Sequence, residues 1–211
     1  MKPNTIYHGN ALDLIQELNV APQLIVMSPP DVNETNYSLE EYKRFIHTIY
    51  SDCSDKLAEG GVMVSITTDT KIKGSVFTKH SEIINSVPKL NLFNYKIWAK
   101  TLKSNLYILT FCHMLFFCKG KKPAIKNTLS EFYPDVWLLE SDKINDYPAK
   151  DSFPSELVKR IILTFTKEND VVLDPFLGSG KTAKIAKDNG RQFIGFELDE
   201  KFVRMARELV K

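Results

Sequence analysis

The segment Val171-Val-Leu-Asp174-Pro-Phe-Leu-Gly178-Ser-Gly180-Lys-Thr182 constrains the fold more than any other part of the chain. A short apolar run, of buried-strand length, feeds a turn of small residues, and that turn opens a helix running to Asn189-Gly190. Open α/β sheets are built from such units, and their ligands bind beyond the carboxyl ends of the strands. Glycine lets the backbone approach a ligand that a Cβ would push away. Gln192–Phe196 reads as the next buried strand. Glu197 ends it, a little under the ~20-residue separation at which an acid accepts hydrogen bonds from ribose hydroxyls. A P-loop is excluded, because its pattern needs glycine where Pro175 stands and proline removes a phosphate-cradling N–H. Gly178-x-Gly180-x-x-Ala183 fits the dinucleotide pattern, but only about one helix follows Glu197, where a nicotinamide-binding half continues for several strands. A third reading is S-adenosylmethionine, with Asp174 and the loop amides able to hold the methionine end and Glu197 the ribose.

Elsewhere strands alternate with helices. Gln23–Met27 is a continuously apolar run ending at Ser28-Pro29-Pro30, as a fully buried parallel strand would. Ser38 and Glu41 have capping-box spacing, and Leu39, Tyr42, Phe45, Ile46 and Ile49 follow at helical period. Glu59-Gly60-Gly61 closes that helix before a strand at Val62–Thr67. Asn91–Trp98 and Asn105–Phe117, rich in aromatic and β-branched residues, are predicted strands. From Lys119-Gly-Lys-Lys-Pro123 to about Pro148 the periodicity is poor, and Phe132, Tyr133, Trp137 and Tyr147 are predicted to lie in a loop or small insertion rather than in the core. Helices are predicted from Ser155 to Phe165 and from Glu200 to Leu209. The alternation argues for an α/β fold with a mainly parallel sheet.

Composition narrows the function classes. With 28 basic and 26 acidic residues, the charge of +2 permits nucleic-acid binding without arguing for it. The 13 Phe, 8 Tyr and 2 Trp supply too much buriable surface for a disordered chain. Cys53, Cys112 and Cys118 have no C-x-x-C spacing, so reduced thiols are expected rather than structural zinc. His8, His47, His80 and His113 show no metal-like spacing in the sequence, and no metal site is predicted. No run approaches a membrane span, and MKPNTIYHGN lacks a signal-peptide core, so the expected location is cytoplasmic or otherwise intracellular, without a membrane partner.

The segments LDPFLGSGKT and FIGFELDEKFV resemble the cofactor half of the β-class DNA amino-methyltransferases, with Lys181 in place of the usual first Thr of DPF-x-GSG-T-T. Ser28-Pro29-Pro30 resembles that family's [DNS]-P-P-[YFW] motif. Asp146-Tyr-Pro148-Ala149 with Phe153-Pro154-x-Glu156-Leu157 resembles its H-P-A-x-F-P-x-x-L stretch, with Tyr147 at the His position. His8-Gly9-Asn10-Ala11-Leu12-Asp13 resembles its G-D-x-x-x-x-L stretch, with Asn10 at the Asp position and either Asn10 or Asp13 near the cofactor's adenine. The resemblance implies a Rossmann-like methyltransferase fold, mainly parallel with a C-terminal-side antiparallel hairpin. Its motif order is circularly permuted within a single domain over residues 1–211. S-adenosyl-L-methionine is the implied cofactor, and the implied cofactor-binding residues are Asn10, Phe153, Pro154, Asp174, Pro175, Phe176, Gly178, Ser179, Gly180, Thr182, Glu197 and Leu198.

The implied reaction is methylation of an exocyclic amine on a flipped DNA base. Such a nitrogen is a poor nucleophile, because its lone pair is conjugated into the ring. Acceptors placed around it, Ser28 Oγ and the Pro29 carbonyl, would favour a tetrahedral nitrogen, and preorganised dipoles act without rearranging during the reaction. Pro29 and Pro30 stiffen the loop. Serine at the first position leans toward N4 of cytosine, and N6 of adenine is the alternative. Ring-carbon methylation is excluded, since no cysteine has the required Pro-Cys context. Asp31 departs from the pattern, standing where the family has an aromatic that stacks on the base. It is expected either to accept a hydrogen bond from the base or to weaken the enzyme, with Tyr37 or the insertion supplying a ring. Residues 119–147, with Lys119, Lys121, Lys122 and Lys126, form the candidate target-recognition segment, and Lys71, Lys73 and Lys79 form a second basic group. The implied partners are DNA, with RNA left open, a homodimer, and a companion restriction endonuclease. A catalytically silent DNA-binding relative and a nicotinamide-dependent oxidoreductase are the competing readings.

Overall fold

The computed structural model describes residues 1–100, 110–123, 125–140 and 153–211. In chain order the elements are β1 (Thr5–His8), α1 (Ala11–Glu17), β2 (Leu24–Met27), α2 (Leu39–Lys56), β3 (Val62–Thr67), β4 (Thr70–Ile72), β5 (Ser75–Phe77), α3 (Lys79–Ser86), β6 (Leu90–Ala99), β7 (Phe111–Lys119), β8 (Val136–Leu138), α4 (Ser155–Phe165), β9 (Val171–Asp174), α5 (Lys181–Asp188), β10 (Gln192–Glu197) and α6 (Glu200–Leu209). Single 3₁₀ turns occupy Val32–Glu34 and Ser130–Phe132.

Eight strands form one sheet in the order β1-β10-β9-β2-β3-β7-β6-β8, and β4 and β5 make a separate ribbon. From β1 to β3 every neighbouring pair is parallel. The buried runs LIVM in β2 and VMVSIT in β3 follow from this, because a parallel strand covered by helices on both faces has no polar side. Alternate residues of β2 go to opposite cores. Leu24 and Val26 pack with α4, α5 and α6, while Ile25 and Met27 pack with α1, α2 and α3. Each fully buried aliphatic side chain contributes about 1.5–3 kcal/mol, so the two cores rather than helix propensity hold the layers together. Helix α2 starts at the predicted capping box, with Ser38 and Glu41 bonding reciprocally, and buries Tyr42, Ile46, Ile49, Tyr50 and Cys53 on one stripe.

The mostly parallel, doubly wound architecture matches the expected α/β class. The antiparallel hairpin, however, is β6 with β7 in the middle of the chain, whereas the expectation put it toward the C-terminal side. The C-terminal strands β9 and β10 are instead interior parallel strands. The insertion also differs from its reading. Strand β8 pairs parallel with β6, and Phe132 and Trp137 are core residues, Trp137 only 2% exposed. Their alternation with charges hid this, because a three-residue edge strand and a single 3₁₀ turn are too short to show a period. Tyr133 does lie outside, at 64% exposure. Residues 105–109 of the predicted second strand, and Tyr147, lie outside the described residues. Among the described residues no helix is long and apolar enough to cross a membrane.

Candidate active site

Strand order fixes where the site must be. From β2 the chain winds through α2 to β3 on one side, and from β9 through α5 to β10 on the other, so the neighbours β2 and β9 form a topological switch point. A crevice opens beyond the carboxyl ends of strands at such a point. Ser28 leaves β2 there, and the glycine loop leaves β9 beside it. One cavity of about 800 Å³ is lined by Ser28 and Pro30 from the first loop, Pro175, Phe176 and Gly178 from the second, Glu197 and Leu198 after β10, and Asn10 after β1. Its volume is that of a small-molecule site. Asp174, Ser179, Gly180, Thr182, Pro29, Asp31, Phe153 and Pro154 are not among its lining residues.

The glycine loop is shaped from within. Asp174 accepts from the Phe176 N–H at 3.0 Å and is bonded by Thr182, closing the turn over a carboxyl that is 5% exposed. Burial pushes this carboxyl up to about 7, against the lowering by those two bonds, and the Glu197 charge raises it further. The two glycines have different tasks. Gly178 has φ +56° with open space where a Cβ would be, so its backbone is presented to the cavity. Gly180 has φ +95°, and a Cβ there would sit 2.7 Å from the Ala206 Cα, so its smallness admits α6. Glu197 joins loop and strand, its Oε2 accepting from Gly178 N at 2.7 Å and its Oε1 from Asp199 N at 2.8 Å. A carboxylate has about four lone-pair sites, so both oxygens retain acceptor capacity toward the cavity. Asn10 caps α1 through the Leu12 N–H at 3.0 Å, while Asp13 is exposed, so Asn10 is the member of that pair at the cavity. Phe153 and Pro154 lie away from the cavity lining, and the Phe153 carbonyl accepts from Lys181 Nζ. The lysine that departs from the family pattern thus ties the Phe-Pro segment to α5. Asp146, Tyr147, Pro148 and Ala149 lie outside the described residues.

The serine loop is shaped from outside. Tyr42 Oη donates to the Pro30 carbonyl at 2.8 Å, and burial first, then Asp31 and Glu34, hold that phenol protonated. Asp31 caps the Val32–Glu34 turn. It accepts from Val32 N at 2.7 Å and Thr70 Oγ1 at 2.5 Å, and its own N–H donates to Glu34 Oε2 at 2.7 Å. Lys79 Nζ lies 3.6 Å from its other oxygen. Lys79 is 3% exposed; desolvation lowers its pKa while the Asp31 and Glu34 carboxylates oppose the shift. It is therefore an internal counter-ion, not the surface lysine the sequence implied. Lys119 is also committed, donating to the Asp55 and Leu57 carbonyls at 3.0 and 2.8 Å. Lys71, Lys73, Lys121, Lys122 and Lys126 are exposed.

Sequence reading named Tyr37 as a possible ring but missed Glu34, Thr35 and Asn36 before it, and all four line the cavity with Phe45 and Phe202. Phe45 stacks edge-on to Phe176 at 6.1 Å and packs on Tyr37 at 5.7 Å, giving the cavity an aromatic wall. Phe45 was visible only as a helix-period residue. The spacing of the histidines gave no sign that His80 and His113 stack at 4.2 Å beside Asp69. All three cysteines are buried, and burial pushes the Cys53 and Cys118 thiols up, away from thiolate chemistry.

A family model for DNA methylases of the N6/N4 type matches residues 23–208, nearly the whole chain. The chain belongs to the N6/N4 DNA methylase family. It is 39% identical to type II methyltransferase M1.MboII of Moraxella bovis, covering 96% of this chain and 95% of that protein. It is 30% identical to type II methyltransferase M.BglI of Bacillus subtilis over 94% of this chain, but spans only 58% of that protein's length. Its backbone superimposes on the M1.HpyAVI–SAM complex with a TM-score of 0.77 at 22% identity, covering 98% of each chain.

Proposed function

We propose that this DNA methylase transfers a methyl group from S-adenosyl-L-methionine to an exocyclic amino nitrogen of a DNA base, N4 of cytosine, after the base is flipped out of the duplex. The observation that carries this reading is that Ser28 and Gly178, far apart in sequence, line the same cavity at the switch point. The donor set fits the cofactor. Gly178 would leave room for the methionine end, Glu197 keeps acceptor capacity that ribose hydroxyls would use, Asn10 would meet the adenine, and Phe176 and Phe45 give an apolar wall. When bound, the cofactor supplies a methyl group already activated as a sulfonium, so the chain need only orient and polarise its partner.

Ser28 Oγ and the Pro29 carbonyl would accept hydrogen bonds from the target amine and draw its lone pair out of conjugation. As the N–CH₃ bond forms and the S–CH₃ bond breaks, leaving a neutral thioether, the amine's surplus proton passes to water. Tyr42 holds the neighbouring Pro30 carbonyl, keeping the loop in place as the base enters. Asp31 positions this loop and does not read the base. Tyr37, 42% exposed at the cavity and backed by Phe45, supplies the ring that Asp31 cannot, and such stacking is worth about 1–3 kcal/mol. Residues 1–211 act as one catalytic unit in the permuted order, with the catalytic loop before the cofactor loop. Phosphate contacts come from Lys121, Lys122 and Lys126 of the 119–147 segment and from Lys71 and Lys73 of the β4–β5 ribbon.

The test is to incubate the protein with labelled donor and mixed-sequence DNA, digest, and identify the modified nucleoside. N4-methylcytosine is expected. N6-methyladenine would overturn the base assignment while keeping the reaction, and unlabelled DNA would overturn the reading itself.

A further inference from the structure

Beyond methyl transfer, we propose that Asp69, His80 and His113 form a binding site for one divalent transition metal of the zinc class, which clamps the support of the Ser28–Asp31 loop. One ligand atom from each residue lies within 4.8 Å of the others. His80 Nδ1 is 2.8 and 2.9 Å from the two Asp69 oxygens, and His113 Nε2 is 3.4 Å from Oδ2. Donors held about 2.0–2.2 Å from a common ion must themselves stand ~3 Å apart, as each histidine stands from Asp69, and the two histidine donors lie within the same 4.8 Å. Two imidazoles and a carboxylate are a donor set that zinc accepts.

The surroundings are those of a built site. His113 is 7% exposed, and its second nitrogen, Nδ1, is bonded to the Tyr95 hydroxyl, which fixes the ring with Nε2 toward Asp69. Metal-ligating histidines are held in this way by an outer partner. Thr67 is directly opposite His113 in the β3–β7 register, so the two side chains share a face of the sheet. Thr67 is 3% exposed, and its hydroxyl has no hydrogen-bond partner among the described residues. A water on the ion's open position would supply one.

The placement gives the ion its task. Asp69 follows β3, His80 is on α3 and His113 is on β7, so one ion would join three elements that the chain reaches separately. Thr70 and Lys79, the sequence neighbours of Asp69 and His80, hold the Asp31 carboxylate from outside its own loop. Binding would therefore stiffen the frame on which the serine loop rests.

Untagged full-length protein is stripped with chelator, then titrated with Co²⁺ and, separately, with Zn²⁺. The expected results are one cobalt per chain with visible bands of low-symmetry nitrogen and oxygen coordination. Zinc should raise Tm by roughly 5–10 °C at a free concentration about 100-fold above Kd. H80A, and independently D69N, should lose both signals by at least tenfold in affinity, with far-UV circular dichroism confirming the fold, while H47A at an exposed helix position should retain them. Absence of both signals in the parent protein would overturn the proposal, leaving a carboxylate hydrogen-bonded between two imidazoles. Undiminished binding by H80A and D69N, or a strong sulfur-to-cobalt charge-transfer band, would overturn it equally. These readouts do not involve DNA or methyl transfer, so their failure is distinct from failure of the enzymatic reading.

Discussion

The two loops that meet at the switch point are stabilised in opposite ways. The glycine loop after β9 takes its turn from its own residues, with an added bond from Gly178 to Glu197: Asp174 bonds Phe176 and Thr182 eight positions or fewer away, and its glycines either open space or admit α6. The serine loop after β2 is held from a distance, by Tyr42 on α2, Thr70 on the ribbon and Lys79 at the start of α3. A loop that encodes its own shape carries that shape wherever its motif occurs. A loop held from outside can change a motif residue, as at Asp31, if its supports change with it.

The first way to break this contrast is to fill the two glycines. Gly180→Val places atoms against the Ala206 backbone at a positive φ, so the chain should lose at least about 3 kcal/mol in denaturant unfolding or fail to fold. Gly178→Ala meets open space and should cost only about 1 kcal/mol of stability, while cofactor affinity by calorimetry falls tenfold or more. If the two variants behave alike, the division of labour between the glycines is wrong.

On the serine side, the supports should matter as much as the motif. Asp31→Tyr restores the family's aromatic but removes the acceptor for Thr70 and Lys79, leaving a buried ammonium unpaired. Methyl transfer should collapse rather than rise, and stability should fall by about 1–3 kcal/mol, the upper end of buried-pair penalties being discounted because Asp31 is partly exposed. Lys79→Met with Asp31→Asn should recover much of the stability, since both charges go together. A rise in activity with Asp31→Tyr would show that the carboxylate only replaces a lost ring.

The smallest effect sharpens the glycine-loop side. Asp174 in the folded chain has its pKa raised from 3.8 to about 7, so between those values the native state holds a proton that the unfolded state has released. Stability without cofactor should therefore be full below about pH 4 and decline as pH rises through about 7, by at most ~4 kcal/mol in total and less with any relaxation. Asp174→Asn should flatten that part of the Tm profile. An equal slope in the variant would assign it to other groups.

The same contrast explains what was legible in the sequence. The Asp174–Thr182 loop, the strands beside it and the α2 capping box could be read because each is decided by neighbours within a few positions. Local chemistry also marked Ser28-Pro29-Pro30 as a strand-ending turn. The role of Asp31 was hidden, because its partners Thr70 and Lys79 come near only through the ribbon and α3. Lys79 looked like surface charge for the same reason. His80 and His113 are far apart in the chain, and β7 and α3 bring them together only through sheet order. Trp137 joins the core through a three-residue strand that leaves no period to read.

The central claim, that the two loops act on a single reacting pair, is tested most directly by Ser28→Ala. Its single-turnover rate of methyl transfer should be measured beside its affinity for S-adenosylmethionine. The account predicts a rate lower by about 10²–10³-fold, as for loss of one preorganised acceptor, with cofactor affinity unchanged within twofold. An unaltered rate, or a loss that resides wholly in cofactor binding, would contradict it.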